Sequence, residues 1–273
     1  SGHAKNIEQM ASSPNGKYVA SISHKTVMIW DMVSNKKLHE INLDIKLMAV
    51  ETHSISITDK LDKVVVSTND GLYCYNIQTG KQLFKDGGVT AGAALSKDGN
   101  EVFAIDFGYL SIYDALSGKK IKSVADVVNN SAKDCKYYEL GNNRLLILYY
   151  YGWSIVNTAT GAVEIKQVFK DIYSQKLSAY DYNATDNTIV GLREGEFFVY
   201  DVKTANLIKS KKSSFYPLGL CIDGKGQLIA FSSDYKTKTC KMEVMHLPSF
   251  NVVKTIAQPE AEVPQSIYYG TVP

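Results

Sequence analysis

The chain has 273 residues, of which 45% are apolar and 21% charged, a balance that suits a globular protein with a sizeable core. A formal net charge of only +2 gives no field of one sign to recruit nucleic acid or an anionic membrane. No apolar run approaches the roughly 18 residues that a membrane helix needs, and the N-terminus lacks the charged, apolar and small-residue progression of a secretory signal.

Short strand patterns follow one another along the chain. Ile7–Ser12 is the first. Ser13-Pro14-Asn15-Gly16-Lys17 is a tight turn that opens into Tyr18–Ile22. Ile29-Trp30-Asp31-Met32-Val33-Ser34-Asn35-Lys36 then sets a phrase that recurs. Its later copies begin at Cys74-Tyr75-Asn76, Ile112-Tyr113-Asp114, Ile155-Val156-Asn157 and Val199-Tyr200-Asp201, and a degenerate copy reads Val244-Met245-His246. In each, an apolar strand ends in a large side chain. Asp or Asn then folds back on its own backbone, and Gly or Asn supplies the positive φ that closes the turn.

The Asp/Asn/His position falls at 31, 76, 114, 157, 201 and 246, with spacings of 38 to 45 residues. Each period reads strand A, turn, strand B, short loop, strand C, Asp-containing turn, strand D. Four short strands at this period predict an all-β chain, a β-propeller of six four-stranded blades. The blades run over about 7–43, 52–86, 90–125, 133–169, 176–211 and 217–256, within a single domain 1–273. Apolar runs such as Val64-Val65-Val66 and Leu145–Leu148 predict strands buried on both faces. A strand-like stretch at 264–270 either pairs with a blade edge or starts a seventh blade.

The pattern resembles the WD-repeat propellers, and also bacterial propellers whose blades end in D-x-x-T-G-K. The resemblance covers residues 7 to about 256. Ile29-Trp30-Asp31 carries the full Trp-Asp dipeptide; Tyr, Val or Met replaces Trp elsewhere, and the family's Gly-His dipeptide is absent. The family's Asp between strands B and C aligns with His24, Asn69, Phe107, Tyr150 and Glu194, so its polar network is not expected.

The five histidines share no ligand spacing, so no metal is expected. No G-x-S-x-G elbow and no phosphate loop is present. Thr79-Gly80-Lys81 and Ser117-Gly118-Lys119 are repeat turns. The carboxylates Asp106, Asp126, Asp134, Asp171 and Asp181 are scattered. Trp153, with Leu72, Leu110 and Phe197 at equivalent positions, reads as core, and Trp30 as packed between blades. Lys209, Lys211 and Lys212 read as a solvated basic run on the crossover before blade six. Cys74, Cys135, Cys221 and Cys240 form no ligand pair and are expected as reduced thiols, which points to the cytoplasm.

The loops joining strands B and C are the candidate surface. The register puts His24-Lys25, Asn69-Asp70, Phe107-Gly108, Tyr150-Tyr151 and Glu194-Gly195 there. Phe107, Tyr150 and Tyr151 are the expected contact residues, with His24 and Lys25 at the edge, because aromatic side chains with little strand around them suit an interaction surface. The expected function is a non-catalytic, monomeric scaffold for a protein or peptide partner, without cofactor, specific nucleic acid or membrane insertion. The alternative is a small-molecule-binding propeller, a hydrolase or lyase with its site at the central channel. Fold alone does not decide between them.

Overall fold

The computed structural model describes residues 2–45, 51–88, 91–129, 134–169, 177–234 and 239–259. The fold is a β-propeller of six blades, each a four-stranded antiparallel sheet in chain order, and no helix occurs among the described residues. The expected strand at 264–270 lies outside them.

Blade one is Gln9–Ser12 (β1), Tyr18–Ser23 (β2), Thr26–Asp31 (β3) and Lys36–Asn42 (β4). Blade two is Thr52–Ile57 (β5), Lys63–Thr68 (β6), Gly71–Asn76 (β7) and Gln82–Asp86 (β8). Blade three is Gly92–Leu95 (β9), Glu101–Asp106 (β10), Tyr109–Asp114 (β11) and Lys120–Val124 (β12). Blade four is Lys136–Gly141 (β13), Arg144–Tyr149 (β14), Gly152–Asn157 (β15) and Val163–Val168 (β16). Blade five is Ala179–Asn183 (β17), Thr188–Arg193 (β18), Glu196–Asp201 (β19) and Leu207–Lys212 (β20). Blade six is Gly219–Ile222 (β21), Leu228–Asp234 (β22), Thr239–His246 (β23) and Asn251–Pro259 (β24). By compactness the chain falls into two units, Ser1–Tyr149 with Trp153–Lys166, and Tyr150–Gly152 with Gln167–Pro273.

The core lies between blades. In β6, Val64 and Val66 join a cluster with Ile22, Val27 and Ile29 of blade one, whereas Val65 joins Val102, Ala104 and Tyr113 of blade three. Successive side chains point to opposite faces, and here both faces are covered, so the run is apolar rather than alternating. In the second unit Val190, Leu192, Phe197 and Val199 of blade five pack with Leu220, Leu228, Met245 and Phe250 of blade six.

Polar side chains pin neighbouring blades. The Ser54 hydroxyl accepts from Ala93 N–H (2.7 Å) and Ser56 from Leu95 N–H (3.0 Å). The buried Asp181 accepts from Ile222 N–H at 2.8 Å in the same way.

The repeat turn between strands C and D is built as its sequence predicts in its Asp and Asn residues, while Ala205 and Phe250 hold the left-handed position where Gly or Asn is expected. Asp31, Asn76, Asp114, Asn157 and Asp201 each accept backbone N–H bonds from residues two or three positions on. These bonds hold Asp31 and Asp201 below the usual carboxylate range; for Asp114 the Ser117 hydroxyl contributes most. Asn35, Gly80, Gly118, Gly161, Ala205 and Phe250 close the turns at positive φ. Gly118 has a second reason to be glycine: a Cβ there would lie 2.5 Å from the Phe84 ring.

Trp153, Leu72, Leu110 and Phe197 are buried to 1% exposure or less. Trp30 departs from its expected burial. It is half-buried, and its indole N–H donates to Ser21 Oγ at 2.8 Å. It sits just past the register shift in the β3–β4 pairing. The basic run departs too. Lys209, Lys211 and Lys212 belong to the outer strand β20, not to a crossover. Every residue of β20 is exposed, so this strand carries no apolar alternation to announce it.

Candidate functional site

A recurring backbone bond organises the B–C end of the blades. The carbonyl of the second turn residue accepts an N–H from the chain leaving strand D. The pairs are Lys25 with Leu43 (2.8 Å), Gly108 with Val127 (2.9 Å), Tyr151 with Phe169 (2.9 Å) and Gly195 with Ser213 (2.9 Å). These four main-chain bonds fix the turns to the crossovers beside them.

In the first unit, Phe107 stands out. It is 73% exposed and its φ is +43°, with Gly108 following at +87°. Two positive φ values make this a type I′ hairpin turn, for which Asn or Gly is the low-cost first residue. A bulky aromatic in the left-handed region is an outlier, and strain of this kind concentrates at functional positions. Tyr109, two residues on, is 49% exposed. Between blades two and three, burial raises the Asp106 carboxyl, Lys120 lowers it, and Asp86 raises it further. Asp106 Oδ1 is buried and has no hydrogen-bond partner. Asp86 accepts from the Tyr113 hydroxyl (2.9 Å) and Gly88 N–H (3.0 Å).

His24 and Lys25 are half-buried. The His24 N–H donates to Glu8 Oε1 at 2.8 Å, and Lys25 Nζ donates to the Ile45 carbonyl at 2.5 Å. Lys25 therefore braces its own crossover. At the corresponding turn of blade two, Asp70 accepts from the Tyr73 hydroxyl and from Lys85 Nζ (2.9 Å), and these two bonds hold it below the usual carboxylate range.

In the second unit, Tyr150 and Tyr151 are half-buried. The Tyr150 ring meets Tyr180 edge-on at 5.7 Å. Gly152 follows at φ +153°, where a Cβ would fall 1.8 Å from the Gln167 carbonyl oxygen. The most exposed aromatic here is Tyr216, at 71%, whose ring approaches Gly195, with Leu218 nearby in sequence at 41%.

Of the five expected contact residues, Phe107 is the one that projects into solvent. Sequence reasoning missed Tyr109 and Tyr216. Tyr109 opens a strand and reads as part of it. Tyr216 precedes Pro217 in a crossover, a position biased to extended backbone that places its side chain away from any repeat register.

A cleft of about 280 Å³ in the second unit is lined by Asp186, Thr188, Val199, Ile208, Leu247 and Pro248. The Thr188 hydroxyl is buried there without a partner. The volume is below the roughly 300–1,000 Å³ of small-molecule sites and suits one side chain. No cluster of three or more His, Cys, Asp or Glu suited to a metal occurs among the described residues.

No family profile matches the sequence, and no curated protein matches it. The fold is widely shared, with 1224 solved chains similar to it. One is a chain of a structure described as the crystal structure of the mitotic checkpoint complex, at TM-score 0.70 and 10% identity, covering 97% of this chain and 81% of that one. At that identity the likeness is one of fold.

Proposed function

We propose that this propeller is a non-catalytic scaffold that binds a protein or peptide through the B–C ends of its blades. The observation that carries the reading is Phe107, a large apolar side chain at 73% exposure on a strained turn. Packing does not account for it, because a side chain so exposed contributes little to a core. Binding does, because interface energy concentrates in a few rigid aromatic residues. Phe107 is the proposed anchor, Tyr150 and Tyr151 further contacts, and His24 and Lys25 edge residues. The similar chain from a protein complex agrees with a protein partner. No disulfide joins the four cysteines, which suits a protein of the reducing cytoplasm, and we read the propeller as a monomer.

The test is partner capture with wild-type protein and with a Phe107→Ala/Tyr150→Ala/Tyr151→Ala variant of equal melting temperature. A partner held by wild type and lost by the variant supports the reading. Equal capture by both removes these residues from the site, and stabilisation by a metabolite with no protein captured favours a small-molecule role.

A further inference from the structure

Among the described residues the fourth strand of each blade is an edge of its sheet, and five of these six strands carry the charges that discourage edge pairing. Lys36, Lys37 and Glu40 lie on β4, Lys85 and Asp86 on β8, and Lys120 and Lys122 on β12. Glu164 and Lys166 lie on β16, and Lys209, Lys211 and Lys212 on β20. The sixth is built differently. β24 is the longest strand, nine residues, and Lys254 is its one charged residue. Val252, Val253 and Ile256 are 49%, 51% and 36% exposed along it. Its pairing with β23 runs from His246↔Asn251 to Thr239↔Pro259 with one β-bulge, at Val253, so the strand is regular from Lys254 onward and presents its other edge there.

We infer that β24 is a strand-addition site, which takes an extended segment of a partner protein as a fifth strand of blade six. Main-chain hydrogen bonds supply affinity in this mode, and alternate side chains supply specificity. The side chains of β24 define the partner: β-branched apolar residues opposite Val253 and Ile256, and an acidic residue opposite Lys254, which none of the described ion pairs engages. The inference rests on the scaffold reading only for the class of partner, and it uses a different surface.

The probe is the blocked hexapeptide Thr-Val-Thr-Glu-Val-Ile, which pairs antiparallel with residues 257 to 252, against versions with Lys in place of Glu or Pro in place of the central Thr. Amide exchange and NMR shifts of labelled full-length protein are followed. Outward amides of β24 should exchange rapidly in the free protein and slow at least tenfold with the probe. The Lys version should bind at least fivefold more weakly and the Pro version not at all. Val253→Lys should abolish binding without moving the melting temperature, and should leave any Phe107-dependent partner bound, whereas Phe107→Ala should leave the probe bound. Amides of β24 already protected in the free protein would overturn the inference, since the edge would then be covered. Equal binding of all three peptides would also overturn it, as would a concentration-dependent dimer that Val253→Lys dissolves, which would assign the edge to self-pairing.

Discussion

The two ends of a blade turn the chain through the same angle with different parts. At the C–D end an Asp or Asn side chain closes the turn, five times over, on neighbouring N–H groups. A backbone bond repeats beside it, from the next residue to the A–B turn, as in Met32 N–H to Lys17 O and Ala115 N–H to Asn100 O. At the B–C end most of the work is done by main chain, through positive-φ residues as different as His24, Phe107 and Glu194 and the bond to the outgoing crossover, with the Thr68 hydroxyl accepting the Asp70 N–H in blade two. Where a side chain makes the turn, its identity is constrained. Where the backbone makes it, the side chain is free to vary and to serve a partner.

That contrast can be broken most forcefully at the glycine of one B–C turn. Gly152→Ala places a Cβ against the Gln167 carbonyl at 1.8 Å and should cost about 3 kcal/mol or more, read by chemical denaturation. A loss below about 1 kcal/mol would mean that the turn adjusts freely and that backbone geometry is not what fixes this end.

The two tryptophans separate core from rim. Trp153→Ala removes a fully buried ring and should cost about 4 kcal/mol. Trp30→Ala should cost about 2 kcal/mol, the loss of a half-buried ring and one hydrogen bond to Ser21. Equal losses would show that Trp30 is packed as tightly as Trp153.

These two residues also mark how far the sequence could be read. The six periods, the four strands in each and the C–D turns were legible because Asp or Asn and a positive-φ residue recur at fixed offsets. Burial of Trp153 followed from its place in strand C of the repeat register. Trp30 did not follow: Tyr75 and Tyr113 hold the same place in the repeat and are buried, whereas Trp30 is half-buried, with its indole N–H on Ser21. The candidate surface was legible in part. Phe107 could be placed in a turn, but its φ and exposure could not be read. Tyr150 and Tyr151 read like Phe107, yet they fold against their own unit. Tyr216 was hidden because it belongs to no repeat, and β24 because its lack of charge matters only beside the other outer strands.

Acid sharpens the comparison further. Hydrogen bonds lower Asp31, Asp114 and Asp201 in the folded protein. Their contribution is therefore full above the unfolded carboxylate range near pH 4 and fades as pH falls through the lowered values. Asp106 at the B–C end has the opposite sign. Its raised value makes it a small liability that grows as pH rises through and above that range. Melting temperature against pH should show Asp114→Asn weakening the acid dependence, and Asp106→Asn raising stability slightly at neutral pH. Parallel behaviour of the two variants would erase the distinction between the ends.

Phe107→Asn separates service to a partner from service to the fold, because Asn tolerates the left-handed turn that Phe strains. Unfolding free energy and affinity for the captured partner are measured on the same preparations. Stability should be unchanged or raised by up to about 1 kcal/mol, with partner affinity reduced at least tenfold. A destabilised Phe107→Asn protein that still binds its partner with wild-type affinity would contradict the partner role of Phe107.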